Sequence, residues 1–491
     1  MKRRYLLSAV SLLCLAGSLT AQAPDRSKPP ELGPPPVLQL PPVTRHELSN
    51  GLTVLLLEKH QVPIVQVNVV VKAGSAMDPD DRPGLASVTG ASLDDGAGRR
   101  DALELADAVA YLGAQLNVSV EQHVTTAALN TPVAQLDSAL VVLADVVLRP
   151  TFPAAELDRL RRDRLTELAQ QHDEPRAVAQ VLFMRTVFGT AHPYGRRAFG
   201  TEAALRALTP DELRRFHAAQ FRPGRAALIV VGDVTAAAIL PKLEAAFGGW
   251  AAGPAGSAAS GAPRWKDAPQ VARREVLLVN KPGAAQTEVI IGRVGAPRST
   301  ADYFALLVMN TALGGSFTSR LNQNLREDKG YTYGAGSGFQ FERLAGPFSA
   351  RAAVQTAVTD KALTELFREL TRIRDGITAE ELARAKNFVA LRFPERFQAV
   401  GTIARQLGEL VEYDLPLDYY NSYVQRVLAV TAADVRRVAR QYVDPSRVVV
   451  VLVGDRETIE AGVRALNLGP LRTLTIEDVL GPVPVVTTTS R

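Results

Sequence analysis

Cysteine is almost absent from this sequence, since its 491 residues include only Cys14. A single cysteine excludes an internal disulfide and a cluster of thiolate metal ligands. Cys14 falls in the apolar stretch of residues 5–19, which follows three basic residues and precedes the small-residue pattern Ala21-Gln-Ala23. These features predict a secretory signal peptide over residues 1–23, and hence an exported chain whose compartment is the periplasm.

An excess of charge of either sign is lacking too. The formal net charge is +5, and the signal carries three basic and no acidic residues, which leaves +2 (5 − 3) for residues 24–491. A nearly neutral chain with interspersed charges offers no electrostatic attraction for nucleic acid or an anionic membrane. After the signal, no apolar run is long enough to predict a transmembrane helix.

Histidine is scarce as well, and its spacing does not suggest a metal site. No two of the six histidines lie three to five residues apart, the spacing that would put a pair on one face of a helix; they are His46, His60, His123, His172, His192 and His217. His172 follows a predicted helix and is interpreted as a partner of its C-terminal dipole. A metal centre built from these histidines is therefore not expected.

The length of the chain predicts at least two domains. The 468 residues after the signal (491 − 23) exceed the roughly 250–300 residues that one hydrophobic core organises. Residues 24–42 contain eight prolines and predict an extended segment, and residues 251–267 form a linker that begins with small residues. The predicted domains are then 43–250 and 268–470, followed by an irregular tail over 471–491.

The two predicted domains repeat one local pattern. Thr209 begins a predicted helix that Pro223 ends, and a β-rich run follows and closes at Gly232-Asp233. Thr431 starts the same succession, and Pro445 and Gly454-Asp455 lie 222 residues after their counterparts (445 − 223, 454 − 232). Each half mixes strands with helices. We therefore predict an α+β fold of two homologous halves, each a largely antiparallel sheet packed with helices.

The most informative motif lies in the second half. Leu325-Arg-Glu-Asp-Lys-Gly-Tyr-Thr-Tyr333 puts Arg326 and Tyr333 seven residues apart, where a predicted helix end runs into a Gly-rich strand. Just upstream, Leu313-Gly-Gly-Ser-Phe-Thr-Ser-Arg-Leu321 contains the glycine turn Gly314-Gly315. Together these segments resemble the C-terminal half of the M16, or pitrilysin-type, zinc peptidases. The resemblance implies the two-half clam-shell architecture of that family, with Arg326 and Tyr333 holding the substrate and stabilising the tetrahedral intermediate.

The N-terminal half departs from the family at its zinc motif. M16 enzymes bind zinc through H-x-x-E-H on a helix, in which two histidines ligate the metal and the glutamate activates water. Here Ser87 and Ala91 stand at the histidine positions and Gly90 at the glutamate position. Glu167, in Leu165-Thr-Glu-Leu168, matches the family's downstream ligand, but one carboxylate does not make a catalytic zinc site. Its simpler interpretation is a solvated helix charge.

Two further segments extend the resemblance. Gly113-Ala-Gln-Leu-Asn117 is similar to the start of the edge strand on which M16 proteins bind extended peptide, which implies that Asn117, with Gly314 and Gly315, contacts substrate. A plain sheet strand is the alternative. His192-Pro-Tyr-Gly195 resembles a His-Pro-x-Gly segment in which the histidine has a structural role.

The resemblance implies a non-catalytic subunit of an exported M16B-type peptidase. Arg326 and Tyr333 would act in trans on peptide held by a zinc-bearing partner of similar size, so that zinc is the partner's cofactor and this chain holds none. The alternatives are an M16-like protein with only a structural or peptide-binding role and, least favoured, a self-sufficient zinc endopeptidase with unrecognised ligands.

Overall fold

The computed structural model describes residues 40–251 and 265–485. The predicted signal peptide, nearly all of the proline-rich segment and most of the linker lie outside the described residues. The described residues form two six-stranded sheets, one in each half of the chain, with helices packed around them. The α+β architecture expected from the sequence is confirmed.

The first sheet has the strand order β1-β2-β8-β3-β7-β6. Its strands are β1 Thr44–Glu47, β2 Thr53–Glu58, β3 Ile64–Val71, β6 Gln115–Val120, β7 Thr125–Pro132 and β8 Ala226–Gly232, while β4 Gly96–Ala97 and β5 Arg100–Asp101 form a separate two-stranded ribbon. All neighbouring pairs are antiparallel except β2 with β8. β6 therefore lies at one edge of the sheet.

The second sheet has the order β14-β9-β13-β10-β12-β11, in which the five strands from β9 to β11 correspond to those from β2 to β6 and the edge strand β14 has no counterpart of the same direction. Its strands are β9 Glu275–Asn280, β10 Gln286–Val294, β11 Thr332–Phe339, β12 Pro347–Gln355, β13 Val449–Gly454 and β14 Leu471–Leu474. β9, β10 and β12 begin 222 residues after β2, β3 and β7 (275 − 53, 286 − 64, 347 − 125). The spacing recognised in the sequence at Pro445, Gly454 and Asp455 thus extends through the sheets.

Seventeen α-helices complete the described part of the chain. In order, α1 to α9 are Leu85–Ala91, Ala102–Tyr111, Leu136–Leu148, Ala154–Gln170, Pro175–Phe188, Glu202–Ala207, Pro210–Gln220, Ala236–Phe247 and Tyr303–Leu313. α10 to α17 are Arg320–Asn322, Thr359–Arg372, Ala379–Arg392, Val400–Glu412, Tyr423–Ala429, Ala432–Tyr442, Arg456–Ala465 and Ile476–Leu480. The predicted caps are confirmed, since Thr209 and Thr431 each form a capping box at the start of α7 and α15.

The two halves exchange a helix. α5, from the first half, packs on β10 and β13 of the second sheet, and α13, from the second half, packs on β3 and β8 of the first. Phe183 of α5 is fully buried in the cluster that contains Val451 of β13, and Leu407 of α13 shares a cluster with Ile229 of β8. Each sheet is thus covered by the other half of the chain, so each half depends on the other to bury its apolar face.

The predicted irregular tail is wrong for residues 471–480. Leu471–Leu474 is β14, which pairs in parallel with β9, and α17 packs against α5 through the buried Val479. Threonine at 475 caps α17 with a capping box to Asp478. The edge of the second sheet offers free backbone groups to this segment, and pairing with them satisfies both strands. No helix in the described ranges is both long and apolar enough to cross a membrane.

Candidate functional site

Helix α1 occupies the place expected for the zinc-binding helix, and one carboxylate positions its start. Asp78 accepts hydrogen bonds from the backbone N–H groups of Gly84 and Ala86, both at 2.7 Å. Burial raises the pKa of Asp78 to about 7, even though these two bonds oppose the shift. Gly84 has φ of 93°, and a Cβ there would lie 2.6 Å from Cα of Gly200, so a side chain at 84 would be both strained and obstructed.

The residues along α1 cannot form the family's zinc site. Ser87, Gly90 and Ala91 offer no imidazole, thiolate or carboxylate, the groups that bind zinc in proteins. The space beside Gly90 is also filled, because a Cβ at that position would lie 2.2 Å from Cγ2 of Val120 on β6. A glutamate therefore could not be accommodated at 90 without displacement of Val120.

Glu167, the remaining candidate ligand, is exposed on α4. It is electrostatically coupled to Arg164 of the same helix, which agrees with its interpretation as a solvated helix charge. Within residues 40–251 and 265–485, no three His, Cys, Asp or Glu side chains are grouped so that they could hold a metal ion. The described residues thus do not fit a catalytic zinc.

Arg326 lies in a π-helical turn, Gln323–Asp328, that continues α10. Its Nε is 3.3 Å from Oε1 of Glu327, and its guanidinium carbon is 4.7 Å from the centre of the Phe317 ring. The arginine side chain remains 40% exposed. Single π-helical turns occur frequently at functional sites. Phe317 lies in the glycine-turn segment Leu313–Leu321, but no sequence signal singles it out, because its contact with Arg326 depends on the fold.

Tyr333 projects from the start of β11 and is 89% exposed. The pairing of β11 with β12 shifts between Thr332 and Ala335, which marks a β-bulge at this tyrosine. Thr332 stabilises the bulge, since its hydroxyl donates to the carbonyl of Ala353 at 2.6 Å and accepts from the N–H of Gly334 at 3.1 Å. Tyr333 is thereby directed to solvent, and in the described residues its hydroxyl has no hydrogen-bond partner.

The Gly314-Gly315 turn packs directly against β11. The N–H of Ser337 donates to the carbonyl of Gly314 at 3.1 Å, and a Cβ on Gly314 would lie 2.3 Å from that nitrogen. Asn310 strengthens the contact by donating to the carbonyl of Ser337 at 3.0 Å and accepting from its hydroxyl at 2.8 Å. Only glycine fits this close approach. The turn therefore belongs to the same region of the second half as Arg326 and Tyr333.

The two edge strands β6 and β11 differ in how many of their backbone groups are free to pair with an added strand. On β11, Ala335 donates to Oδ1 of Asn322 and Ser337 to Gly314, so part of the edge already has partners. On β6, no backbone bond beyond the pairing with β7 involves residues 115–120 among the described residues. Asn117 on this strand is exposed. β6 is thus the edge that offers free backbone groups to an added strand.

A cavity of about 560 Å³ lies between the first sheet and α13. Asn117, Ser119 and Glu121 border it on the β6 side, and Gly401 and Gly408 border it on α13. At the equivalent contact of α5 with the second sheet, Phe183 lies over Gly292, whose Cβ would be 2.6 Å from the ring. Small residues on α13 therefore keep open the space that an aromatic ring closes in the other half.

Glu121 and Glu412 border this cavity, and both interact electrostatically with the nearby Glu342. Burial is the main cause that raises the pKa of Glu342 to about 8, and the negative charges of Glu412 and Glu121 add to it. Burial, with a smaller contribution from the charge of Glu121, raises the pKa of Glu412 to about 7. The Tyr413 hydroxyl donates to the Glu412 carboxylate and opposes this shift. At neutral pH, therefore, these acids are not all ionised.

Two histidines have structural surroundings. Nε2 of His123 lies 2.6 Å from the Tyr194 hydroxyl, which in turn accepts from the N–H of Leu344 at 3.1 Å and so links the two halves. Burial lowers the pKa of His123 to about 4. His192 accepts from the backbone N–H of Tyr194 at 3.1 Å, so its geometry fits the structural role expected of it.

The structure separates the predicted residues into two groups. Arg326, Tyr333 and the glycine turn lie together in the second half, whereas Ser87, Gly90 and Ala91 lie on α1 in the first. No hydrogen bond, ion pair or ring contact in the described part of the chain joins Arg326 or Tyr333 to α1. Both side chains are partly or largely exposed, and the contacts of Arg326 with Glu327 and Phe317 lie within the second half.

Comparison with known proteins places both halves among peptidase homologues. Residues 53–201 match the model described as insulinase (peptidase family M16), and residues 207–389 match the one described as peptidase M16 inactive domain. Among curated proteins, the chain is 28% identical to an uncharacterized zinc protease of Mycobacterium leprae, over 70% of this chain and 76% of that protein. It is 25% identical to the uncharacterized zinc protease YmxG of Bacillus subtilis, over 70% and 82%.

Solved structures give the same result for the fold. A crystal structure described as the peptidase M16 inactive domain from Pseudomonas fluorescens aligns with a TM-score of 0.78 and 26% identity, over 84% of this chain and 98% of that one. A protease from Helicobacter pylori aligns with the same TM-score at 22% identity, over 84% of this chain and all of that one, and supports the fold alone.

Proposed function

This chain belongs to the M16 family of peptidases, and on that premise we propose that it is the zinc-less subunit of a two-chain peptidase. In this proposal a zinc-bearing partner of similar size carries the metal and the general base. The present chain contributes Arg326 and Tyr333 in trans, together with part of the surface that holds the peptide. As the sequence suggests, the assembly is exported and lies in the periplasm.

The observation that carries the proposal is the combination of a zinc motif that lacks its ligands with an exposed pair of substrate-type residues. Val120 occupies the space that a glutamate at 90 would need, so the missing ligands are not an isolated substitution in an otherwise open site. Arg326 and the 89% exposed Tyr333 have nevertheless stayed accessible. A chain that retains these groups without a metal site is suited to completing a site on another chain.

The two side chains have the chemistry for this task. A phenol and a guanidinium donate hydrogen bonds, and donors directed at a carbonyl oxygen stabilise the negative charge that develops there during peptide hydrolysis. Phe317 beneath Arg326 holds the guanidinium by a cation–π contact and is itself 59% exposed. Exposed aromatic and arginine side chains are common at the centres of protein interfaces. We therefore assign this patch to the contact with the partner and its bound peptide.

Peptide would be held in the extended form along β6. Its free backbone edge permits strand addition, and Asn117 lies on it. Gly314 and Gly315, assigned to substrate contact by the resemblance, hold β11 and so support Tyr333 rather than offering a second free edge. Substrates on this basis are unfolded or extended peptides, whose strand-forming backbone is available.

The decisive experiment uses the purified chain, alone and mixed with a zinc-bearing M16 protein from the same organism. The chain alone should bind no stoichiometric metal and cleave no peptide, whereas the mixture should be active. Tyr333→Phe should lower turnover in the mixture by about 100- to 1000-fold if the phenol stabilises the oxyanion. Tyr111→Phe is a matched control, because Tyr111 is also 89% exposed but lies on α2.

Two results would reject the proposal. If Tyr333→Phe and Tyr111→Phe both leave turnover in the mixture unchanged, the second candidate is favoured, namely an M16-like protein with only a structural or peptide-binding role. The contact of Arg326 with Glu327 at 3.3 Å favours that candidate, since it gives the arginine a partner within the chain. If the isolated chain holds one equivalent of zinc and hydrolyses peptide, it is a self-sufficient peptidase with unrecognised ligands.

A further inference from the structure

Arg298 lies in the wall of the cavity between the first sheet and α13 and retains unused hydrogen-bonding capacity. The residue is only 5% exposed, and its Nη2 is buried without a hydrogen-bond partner among the described residues. No carboxylate in the described ranges forms an ion pair with it. Buried arginines are normally paired, because an uncompensated charge is costly to remove from water.

Aromatic rings hold the Arg298 side chain in place. Its guanidinium carbon lies 3.9 Å from the ring centre of Tyr303 and 4.9 Å from that of Tyr419, and its backbone N–H donates to the carbonyl of Glu342 at 2.7 Å. The ring faces offset part of the buried charge, and the Tyr419 hydroxyl accepts one N–H of the guanidinium, but Nη2 keeps no hydrogen-bond partner among the described residues. The arginine is therefore positioned in advance and still able to bind an anion.

The acidic residues of the cavity are engaged elsewhere. Glu409 accepts from the Tyr420 hydroxyl at 3.1 Å and from Nε2 of Gln406 at 3.3 Å. Glu412 accepts from the Tyr413 hydroxyl, and its raised pKa of about 7 leaves it partly protonated at neutral pH. Glu121 is exposed at the β6 end of the cavity. These glutamates thus lie near Arg298 but do not accept hydrogen bonds from its guanidinium.

The cavity also faces the free edge at β6. Asn117 and Ser119 of that strand border it, so they lie on the cavity side of the sheet. In an added strand, every second side chain points to the same face of the sheet. A peptide bound along β6 would therefore direct alternate side chains, or its terminus, towards the space that Arg298 lines.

The geometry points to Arg298 as an anion subsite that receives a carboxylate of a peptide bound along β6. This inference rests on the peptide-binding part of the proposed function and adds the chemistry of the ligand. The carboxylate is either the C-terminal group of the peptide or an Asp or Glu side chain. Both would form the charge-assisted, two-point hydrogen bonds for which guanidinium geometry is suited.

The test measures retention of three synthetic octapeptide pools by the immobilised full-length chain, without any partner. The first pool has free C-termini and no Asp or Glu, the second has amidated C-termini and no Asp or Glu, and the third has amidated C-termini with Asp and Glu allowed. Hydrogen bonds to charged groups predict that at least one carboxylate-bearing pool binds about 10- to 100-fold tighter than the second. The pool that shows this advantage identifies the source of the carboxylate.

Three variants distinguish the contribution of Arg298 to carboxylate binding from general effects on stability. Arg298→Gln should bring the three pools to equal affinity, and Arg298→Lys should keep a reduced preference because it preserves charge without the planar donors. Arg293→Gln is the matched control, since Arg293 is also 5% exposed but is bonded to Gln270 at 2.9 Å and does not line the cavity. Its preference for carboxylates should equal that of the wild type.

Several outcomes would overturn the inference. These are equal retention of all pools by the wild-type chain, no retention of any pool, and a carboxylate preference that survives in Arg298→Gln. None of them depends on restoring proteolysis, so failure here leaves the two-chain peptidase intact. Conversely, a carboxylate preference can hold for a peptide-binding protein that never completes an active site.

Discussion

Replacement of Gly90 by alanine tests whether the former position of the catalytic base has been filled. In the interior of a helix, this change normally stabilises by about 1 kcal/mol, because glycine loses more backbone entropy on folding. Here the new methyl would lie 2.2 Å from Cγ2 of Val120, far inside van der Waals contact. Overpacking of this kind costs about 1–3 kcal/mol. The expected net effect is a loss of up to about 2 kcal/mol.

In a Val120→Ala background, Gly90→Ala should stabilise the chain rather than destabilise it. Without Cγ2, the nearest atoms to a methyl at 90 are Cβ of residue 120 at 3.7 Å and Cγ2 of Thr125 at 3.8 Å, which are ordinary contacts. Gly90→Ala in the Val120→Ala background should therefore gain about 1 kcal/mol from helix propensity. The resulting coupling between the two substitutions is about 1–3 kcal/mol, typical of residues in direct contact.

Urea unfolding of the wild type, both single variants and the double variant gives the four stabilities of a double-mutant cycle, from which the coupling is obtained. Gly408→Ala on α13 is the control, because its methyl would meet only Ile229 and Val70 at 3.8 and 3.9 Å, and it should stabilise. Val120 does not occupy the space beside Gly90 if Gly90→Ala stabilises the chain as much as Gly408→Ala does. The same conclusion follows if the effects of Gly90→Ala and Val120→Ala are simply additive.

Two further predictions concern charges. Glu412→Gln should flatten the fall in stability between about pH 4.5 and 7 by up to about 1.4 kcal/mol per pH unit, because folded Glu412, with a pKa of about 7, keeps a proton that the unfolded chain has lost. Urea unfolding across this pH range that gives the same pH dependence for the variant and the wild type would contradict this. Glu381→Gln should cost about 3 kcal/mol at pH 7, because it removes the anion bound to Arg320 at 2.7 and 2.8 Å. The wild type should lose the same stability as pH falls from about 4.5 towards 2, since Arg320 lowers the pKa of Glu381 to about 2, and an equal pH profile in the variant would refute the assignment.

Local signals in the sequence predicted much of the fold. The capping boxes at Thr209 and Thr431 are formed within four residues, so neighbouring residue types suffice to recognise them. The helix predicted to begin at Thr209 and the β-rich run predicted to close at Gly232 correspond to α7 and β8. Such runs can be recognised because the pattern of apolar residues reports which positions are buried.

Other features escaped prediction because they depend on distant residues. α5 and α13 were not recognised as equivalent helices, since each is buried by strands of the opposite half rather than by its own. The tail strand β14 was missed because Leu471–Leu474 becomes a strand only where β9 leaves an edge unpaired. Phe317 gained significance only from its position beneath Arg326.

The sequence alone determined which chemical groups this chain lacks, because side-chain identity decides whether a residue can ligate a metal, and Ser87, Gly90 and Ala91 cannot. It also determined the duplication, through a constant spacing of 222 residues between matching turns. Tertiary structure alone decided that Val120 fills the space beside Gly90, that β6 rather than β11 keeps a free edge, and that Nη2 of Arg298 is buried beside a cavity without a hydrogen-bond partner. Each of these depends on atoms brought within a few ångströms by the packing of distant segments, which no local pattern specifies.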